Sequence, residues 1–358
     1  MLAERVHTFG QWLKARHGER VHKIALDAGL TCPNRDGSKG TGGCTFCNNA
    51  SFNANVARQG GDTHPLPPGE GRVREQPLPP DERRSLTPSP SPERAAMPLR
   101  AQLETGRRGI ARGTRARKYL AYFQAYTNTY ADVATLRALY DEALAMDGMI
   151  GLSVGTRPDC VPDAVLDLLA GYRERGMEVW LELGLQSAFD ETLARVNRGH
   201  GLREYVQACK RARRRGIPVC THLIAGLPGE TAWHSRETLD IVLDIGTDGL
   251  KLHPLHVVKH TLLAKQWREG GYAPLGMDEY AGIAADLIER TPWDIPYHRI
   301  TGTAPARLLL APDWCAGKWP VINAIEAELA RRGTRQGART AAEAPPFAAP
   351  RACVPLPQ

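Results

Sequence analysis

The chain has 358 residues, of which 42% are hydrophobic and 24% are charged, so it can bury one large core or a core with an appendage. Eight cysteines are too few for a disulfide-stabilised secreted scaffold, and the polar, charged first 18 residues exclude a secretion signal. We expect a cytoplasmic protein without a membrane partner, because no stretch is apolar enough to span a bilayer. The formal net charge of +7 favours an anionic partner.

The first predicted strand, in HKIALDAG, leads into the cysteine-rich loop TCPNRDGSKGTGGCTFCN. Thiolates of Cys32, Cys44 and Cys47 are soft ligands for iron or zinc, and the glycines between 37 and 43 let the backbone wrap a metal site. Three thiolates leave one coordination position open, as a catalytic centre requires. A structural zinc site normally closes with four ligands, so zinc with His22 as the fourth ligand is the alternative.

The composition changes abruptly after Arg58. Residues 60–96 are dense in proline, glycine, serine and charge, and they have no apolar periodicity. Because long structureless loops are uncommon inside compact domains, we predict a disordered, low-complexity insertion that is not part of the functional site.

Apolar segments of strand type then alternate with helical patterns. The strand candidates are KYLAYFQAY, MIGLSVGT, VWLELGLQS, VCTHLIAGL and DGLKLHPLHV, and the helix candidates are residues 133–145, 162–175, 190–197, 202–215 and 233–245. With the first strand, these make about six βα units and predict an α/β fold, a partial (βα)6 TIM-type barrel. Polar residues follow each strand, at positions that share one rim of such a barrel, so we expect one site there.

Seven residues on the sixth strand and near the barrel's end are candidates for substrate contact, since their largely cationic character suits a phosphate or a carboxylate. They are Lys251, His253, His256, His260, Tyr297, His298 and Arg299. The densest basic run, at 210–215, lies late in a predicted helix and is equally typical of a solvated face.

Three segments resemble the radical S-adenosylmethionine (AdoMet) family. CTFC resembles half of its cysteine motif, and LELGLQSAFDETLARVNRGH and THLIAGLPGET resemble fourth- and fifth-strand segments of its coproporphyrinogen dehydrogenase and Elongator-type branches. The loop CPNRDG…GGCTFCN and the strand YLAYFQAYTNTY are most similar to the YhcC-like group. The resemblance covers about residues 5–330 apart from the insertion, and it implies a partial TIM barrel, a 4Fe–4S cluster and AdoMet.

The resemblance also implies roles for individual residues. Cys32, Cys44 and Cys47 would each bind one iron, which leaves the fourth iron for the amino and carboxylate groups of AdoMet. The residues that would contact AdoMet, with Phe46, Ile224 and Gly226 beside its adenine, are Phe46, Ser153, Glu182, Gln186, Arg198, Ile224 and Gly226.

The implied reaction is reductive cleavage of AdoMet to a 5′-deoxyadenosyl radical, which takes hydrogen from a substrate. An electron donor such as flavodoxin or ferredoxin would be a partner. RNA suits the basic charge and the Elongator-like similarity, and a small anionic metabolite suits the same residues. A third hypothesis is a non-catalytic, zinc-stabilised nucleic-acid-binding protein.

We predict five divisions along the chain. Residues 1–59 hold the N-terminal segment and the cluster-binding loop, residues 60–96 form the insertion, and residues 97–300 complete the core. Residues 301–340 form a small C-terminal appendage that includes one amphipathic helix from about Pro320 to Arg332, and residues 341–358 form a loose tail.

Overall fold

The computed structural model describes residues 2–51, 97–114 and 116–340. The predicted insertion at 60–96 and the predicted loose tail at 341–358 lie outside the described residues. Among the described residues, no helix combines the length and the apolar character that a membrane span needs.

Seven parallel strands form one curved sheet. They are β1 Val21–Leu26, β2 Lys118–Phe123, β3 Met149–Thr156, β4 Glu178–Gln186, β5 Val219–Ala225, β6 Gly249–Pro254 and β8 Tyr297–Arg299. They pair in chain order from β1 to β6, and β8 then pairs with β6. The predicted partial TIM-type barrel is confirmed, and the short seventh strand adds to the six predicted ones. Two further strands, β7 Val257–Val258 and β9 Leu309–Ala311, pair antiparallel.

The helices between the strands cover the outside of the sheet. The five predicted helices are present with bounds that agree within two residues, and the predicted C-terminal helix is α11. The described helices are α1 Leu2–Arg5, α2 Phe9–His17, α3 Leu99–Ala111, α4 Val133–Leu144, α5 Asp163–Glu174, α6 Asp190–Arg195, α7 Leu202–Arg214, α8 Ala232–Ile245, α9 Leu262–Arg268, α10 Met277–Arg290 and α11 Lys318–Arg331.

Strand β4 shows how the sequence divides the two faces of the sheet. Successive side chains of a strand point to opposite faces. Val179, Leu181 and Leu183 belong to the large apolar core under the helices, whereas Trp180 and Glu182 point into the barrel, where they contact residues of other strands. Both faces of β4 are therefore buried, which explains its nearly continuous apolar sequence.

Helix α2 closes the end of the barrel at which the strands begin. Thr8 and Gln11 form a capping box that fixes the start of this helix. The ring of Phe9 then stacks on His298 at 3.7 Å between centroids and meets the edge of Trp180 at 5.1 Å. This aromatic layer separates the barrel interior from solvent on that side.

Candidate active site

A large cavity opens at the carboxyl ends of the strands. Its empty volume, including the open mouth, is about 1250 Å³. Parallel barrels place their functional residues at this end because the strand-to-helix loops meet there. The side chains that line the cavity include Cys32, Arg35, Cys44, Phe46, Cys47, Tyr122, Arg157, Gln186, Arg198, His222, Ile224, Lys251, His253, His256, Arg299 and Thr303.

The three cysteines of the loop after β1 all line this cavity as free thiols. The amide of Cys47 donates to the carbonyl of Cys44 at 3.0 Å, which makes the C-x-x-C segment a tight turn. Burial raises the pKa of the Cys47 thiol, and the nearby Cys44 and Cys32 raise it further. The loop thus brings all three thiols to the wall of the same cavity.

Contacts with later parts of the chain hold the cysteine loop in place. The amide of Thr45 donates to the carbonyl of Val196 at 3.0 Å, and the side-chain amide of Asn197 donates to the carbonyl of Gly43 at 2.8 Å. Arg35 donates to the carbonyl of Cys47 at 2.6 Å. The contacts of Val196 and Asn197 come from a segment more than 150 residues away, so the loop's path could not be predicted from its own sequence.

Gln186 and Arg198 lie side by side at the end of β4. One terminal nitrogen of Arg198 donates a hydrogen bond to the carbonyl of Gly184 at 2.7 Å, and the other points to the sulfur of Cys44 at 3.4 Å. Its Nε is buried without a hydrogen-bond partner. Gln186 has a positive φ of 81°, in a region that non-glycine residues rarely adopt. A Cβ on Gly184 would lie 2.6 Å from Arg198 and 2.8 Å from Gln186, so the absence of a side chain there makes room for both.

The two apolar residues predicted to lie beside adenine are close to each other. Phe46 and Ile224 pack against the same apolar cluster and both line the cavity. Gly226 instead lies behind this wall. A Cβ there would lie 2.8 Å from the side chain of Leu275, and its φ is 86°, so packing and backbone conformation both account for this glycine.

The side chains that line the cavity are strongly biased towards positive charge. Among the described residues, the charged groups in the lining are Arg35, Arg157, Arg198, Lys251 and Arg299, and no carboxylate lines it. Arg157 is paired with the buried Asp159 at 2.9 Å behind the wall. Although burial opposes ionisation of that carboxyl, its hydrogen bonds with Arg157 hold its pKa below the usual range.

Beneath the cavity lies a buried network centred on Glu182. This carboxylate accepts hydrogen bonds from Lys23, from Lys251, from Ser153 at 2.6 Å and from His222 at 2.7 Å. Burial alone would raise the pKa of Glu182, but the two lysines hold it well below its usual range. Ser153 and Glu182, predicted as AdoMet contacts, are thus engaged with protein groups one layer below the cavity lining.

The predicted substrate-contact residues divide into two groups. Lys251, His253, His256 and Arg299 line the cavity. The other three do not: His260 is exposed on a loop, Tyr297 is buried against Thr291 in the outer core, and His298 lies in the aromatic layer at the closed end.

Sequence reasoning missed several lining residues. Arg35 and Arg157 follow strands and so had a positional signal. Tyr122 lies within a strand that reads as apolar, as does Lys23 in the layer beneath the cavity, and only the three-dimensional arrangement shows both facing inward.

The spacing of the thiols does not suit a single zinc ion. In a tetrahedral zinc site with Zn–S bonds near 2.3 Å, the sulfurs lie roughly 4 Å apart. Among the described residues, the one set of three ligand atoms within 4.8 Å of one another is Glu182, Cys220 and His298, so at least one pair of the loop sulfurs is more than 4.8 Å apart. The alternative fourth ligand, His22, lies near the start of β1, at the opposite end of the strand from the loop.

Two family models match most of the chain. The model described as Radical SAM superfamily matches residues 38–242, and the model described as Radical_SAM C-terminal domain matches residues 247–331. Protein YhcC of Escherichia coli (strain K12) is 43% identical over 337 residues, which are 94% of this chain and 96% of that protein.

More distant similarities point to the Elongator branch. A tRNA uridine(34) acetyltransferase of Dehalococcoides mccartyi (strain CBDB1) is 32% identical over 155 residues, covering 42% of this chain and 32% of that one. The solved structure of the archaeal Methanocaldococcus infernus Elp3 has the same fold, with a TM-score of 0.57, 20% identity, and coverage of 66% of this chain and 59% of that one.

These matches confirm the resemblance predicted from the sequence. They also rule out the hypothesis of a non-catalytic, zinc-stabilised binding protein, since the family consists of enzymes. With the superfamily model matching more than half of its residues and a 43% identical relative aligned over nearly its whole length, the chain belongs to the radical SAM superfamily of enzymes.

Proposed function

We propose that the chain binds a 4Fe–4S cluster through Cys32, Cys44 and Cys47 and cleaves AdoMet reductively in the cavity beside it. The single observation that supports this best is the convergence of three free thiols on a cavity whose wall also holds Gln186 and Arg198. Three thiolates serve a four-iron cluster with one open iron, and the wide spacing of the sulfurs fits a cluster better than one ion.

The donor set beside the thiols fits such a cluster. Arg198 and the amide of Asn34 both point at the sulfur of Cys44, at 3.4 and 3.9 Å. Hydrogen bonds to cluster sulfurs stabilise the reduced form by offsetting negative charge. The buried, unpartnered Nε of Arg198 offers a further donor to an anionic group in the cavity, such as the carboxylate of AdoMet.

The apolar part of the wall fits the adenine. Phe46 and Ile224 present an apolar surface, and Gln186 supplies an amide at the end of β4. When bound, the cluster and AdoMet supply one-electron cleavage of a carbon–sulfur bond and a carbon radical that takes hydrogen from the substrate. The residues of this chain orient the reactants and exclude water, which the closed lower end of the barrel assists.

Anaerobic reconstitution tests this proposal. We expect about four irons and four sulfides per chain in the wild type, an EPR signal after dithionite, and formation of 5′-deoxyadenosine from AdoMet. The double variant Cys44→Ala, Cys47→Ala should lose the cluster and the product. Cys209→Ala removes a buried thiol in α7, outside the cavity, and should behave as wild type. Iron retained by the double variant, or one bound zinc without product, would contradict the proposal.

The substrate class is the finer question. The partial match to a tRNA uridine(34) acetyltransferase supports RNA, and the cationic cavity supports a small anion. Either substrate requires an electron donor, for which flavodoxin or ferredoxin is our proposal. The structure of the cavity floor favours the small anion.

A further inference from the structure

The floor of the cavity contains more positive than negative charge. Three cations belong to it: Lys251 from β6 and Arg299 from β8 line the cavity, and Lys23 from β1 lies beneath them beside Ser153. Among the described residues, the one carboxylate that reaches this layer is Glu182 from β4. The floor therefore has an excess of two positive charges, and buried charges normally require partners.

Glu182 cannot serve Arg299 as well, because its oxygens are already occupied. Lys23, Ser153 and His298 reach Oε1, while Lys251 and His222 reach Oε2. Within the part of the chain that the structure describes, no carboxylate forms an ion pair with Arg299, although its side chain lines the cavity.

Lys251 and Arg299 lie side by side on paired strands, in register. Lys251 is only 3% exposed and donates to the hydroxyl of Tyr122, which also lines the cavity. Two neighbouring cations repel each other, and of these two only Lys251 has a carboxylate partner among the described residues, so an anion placed between them would remove the remaining repulsion.

The remaining titratable groups that face Lys251 do not supply negative charge. They are Tyr122 from β2, Cys220 and His222 from β5 and His253 from β6. Burial raises the pKa of Tyr122 and of Cys220 well above their usual values, and it lowers the pKa of His222 to about 4 and that of His253 well below its usual value. All four groups are neutral at pH 7.

We propose that Lys251 and Arg299 bind the carboxylate or phosphate of a small-molecule substrate at the floor of the cavity. This inference rests on the proposed function only in taking the cavity as the active site. The anion would anchor the substrate below AdoMet, so that the carbon to be attacked lies between the floor and the cysteine loop.

The shape of the site favours a small molecule over RNA. The floor is closed below by the layer of Phe9, Trp180 and His298, and within the described residues the cavity above it opens at the rim that holds the cysteine loop. Two of the five cations in the densest basic run, Arg211 and Arg215, are paired with Asp163 and Asp167 on the neighbouring helix.

Calorimetric titration of the full chain with inorganic phosphate and with malonate tests the proposal, without cluster or AdoMet. We expect one site per chain for at least one probe, with affinity at least 10-fold weaker in Arg299→Gln and largely retained in Arg299→Lys. Arg307→Gln, an exposed arginine eight residues away, is the matched control and should bind as wild type. Phosphate binding alone would indicate a phosphorylated substrate, and malonate binding alone a carboxylate.

A pH series on the wild type gives an independent measurement that needs no variant. Burial lowers the pKa of Lys251 to about 8, against the opposing effect of Glu182. Malonate is fully ionised from pH 7 upward, so its affinity should fall as the pH rises through about 8 and Lys251 loses its proton.

Three results would overturn the proposal: no site for either probe, equal affinity in wild type and Arg299→Gln, or displacement of the probe by micromolar tRNA, which would assign the floor to an RNA end. Because the titration uses no cluster, its failure leaves the proposed AdoMet cleavage untouched, and failed cluster reconstitution leaves the titration valid.

Discussion

Gly184 shows how one missing side chain shapes the site. A methyl group on this residue would lie 2.6 Å from Arg198 and 2.8 Å from Gln186, two side chains held by the end of β4. We expect Gly184→Ala to displace both and to weaken AdoMet binding by at least 10-fold in the reconstituted enzyme, as measured by equilibrium dialysis with labelled AdoMet.

The matched control is Gly171→Ala, in helix α5, where an added Cβ would have no neighbour within 4 Å. It should bind AdoMet as wild type. Unchanged AdoMet affinity in Gly184→Ala would mean that Arg198 and Gln186 do not contact the cofactor.

Glu182 is the residue on which the barrel interior depends most. Its carboxylate is fully buried between Lys23 and Lys251, so Glu182→Gln leaves two buried cations without a counter-charge. Breaking a buried ion pair from one side typically costs about 3–5 kcal/mol. We expect a loss of that size in the free energy of unfolding at pH 7, measured by urea denaturation, with the exposed Glu174→Gln as control.

The pH dependence of this loss has a defined sign. The pKa of Glu182 is well below its usual value in the folded protein, so its stabilisation is present above the ordinary carboxyl pKa of about 4.3 and is lost as the pH falls below that value. The difference between wild type and Glu182→Gln should therefore shrink on acidification. A constant difference would show that the substitution acts through packing.

At the scale of elements, α2 acts as the closed end of the barrel. Phe9 is 5% exposed and contacts both His298 and Trp180. Removing a buried phenylalanine side chain typically costs about 3–5 kcal/mol. We expect Phe9→Ala to reduce the free energy of unfolding in urea by this amount, while Trp319→Ala, which removes an aromatic side chain that is 68% exposed, should change it little. Equal effects would contradict a specific closing role for α2.

Most elements of the barrel could be predicted from the sequence, because each strand and helix has its own periodicity. β8 could not, since it is three residues long, and α10, although 14 residues long, was not recognised. The cysteines could be predicted as a group from their spacing. The floor could be predicted only in part: Lys251 and Arg299 are among the predicted substrate contacts, whereas Lys23 and Tyr122 are brought there by barrel closure, which no local pattern records.

On the scale of the whole molecule, the barrel is layered along its axis. Aromatic residues close the lower end, the ion-paired network around Glu182 comes next, then the cationic floor, and the cysteine loop forms the rim. A group that binds at the floor is thus held below the thiols, in a cavity shielded from bulk water. This order suits a reaction in which a reactive carbon radical must meet its substrate before it meets solvent.

The overall charge of +7 makes a separate prediction about RNA. A basic surface binds any polyanion weakly, and such binding falls steeply with salt because counterions are released. If the cavity serves a small anion, tRNA should bind with micromolar affinity at 50 mM salt, and this affinity should fall about 10-fold or more by 200 mM salt, as measured by filter binding.

The double variant Lys210→Gln, Arg214→Gln removes two exposed charges of α7. It should weaken tRNA binding without changing 5′-deoxyadenosine formation. Salt-resistant binding, or stimulation of AdoMet cleavage by tRNA, would instead identify RNA as the substrate, since specific recognition persists where counterion release no longer favours binding.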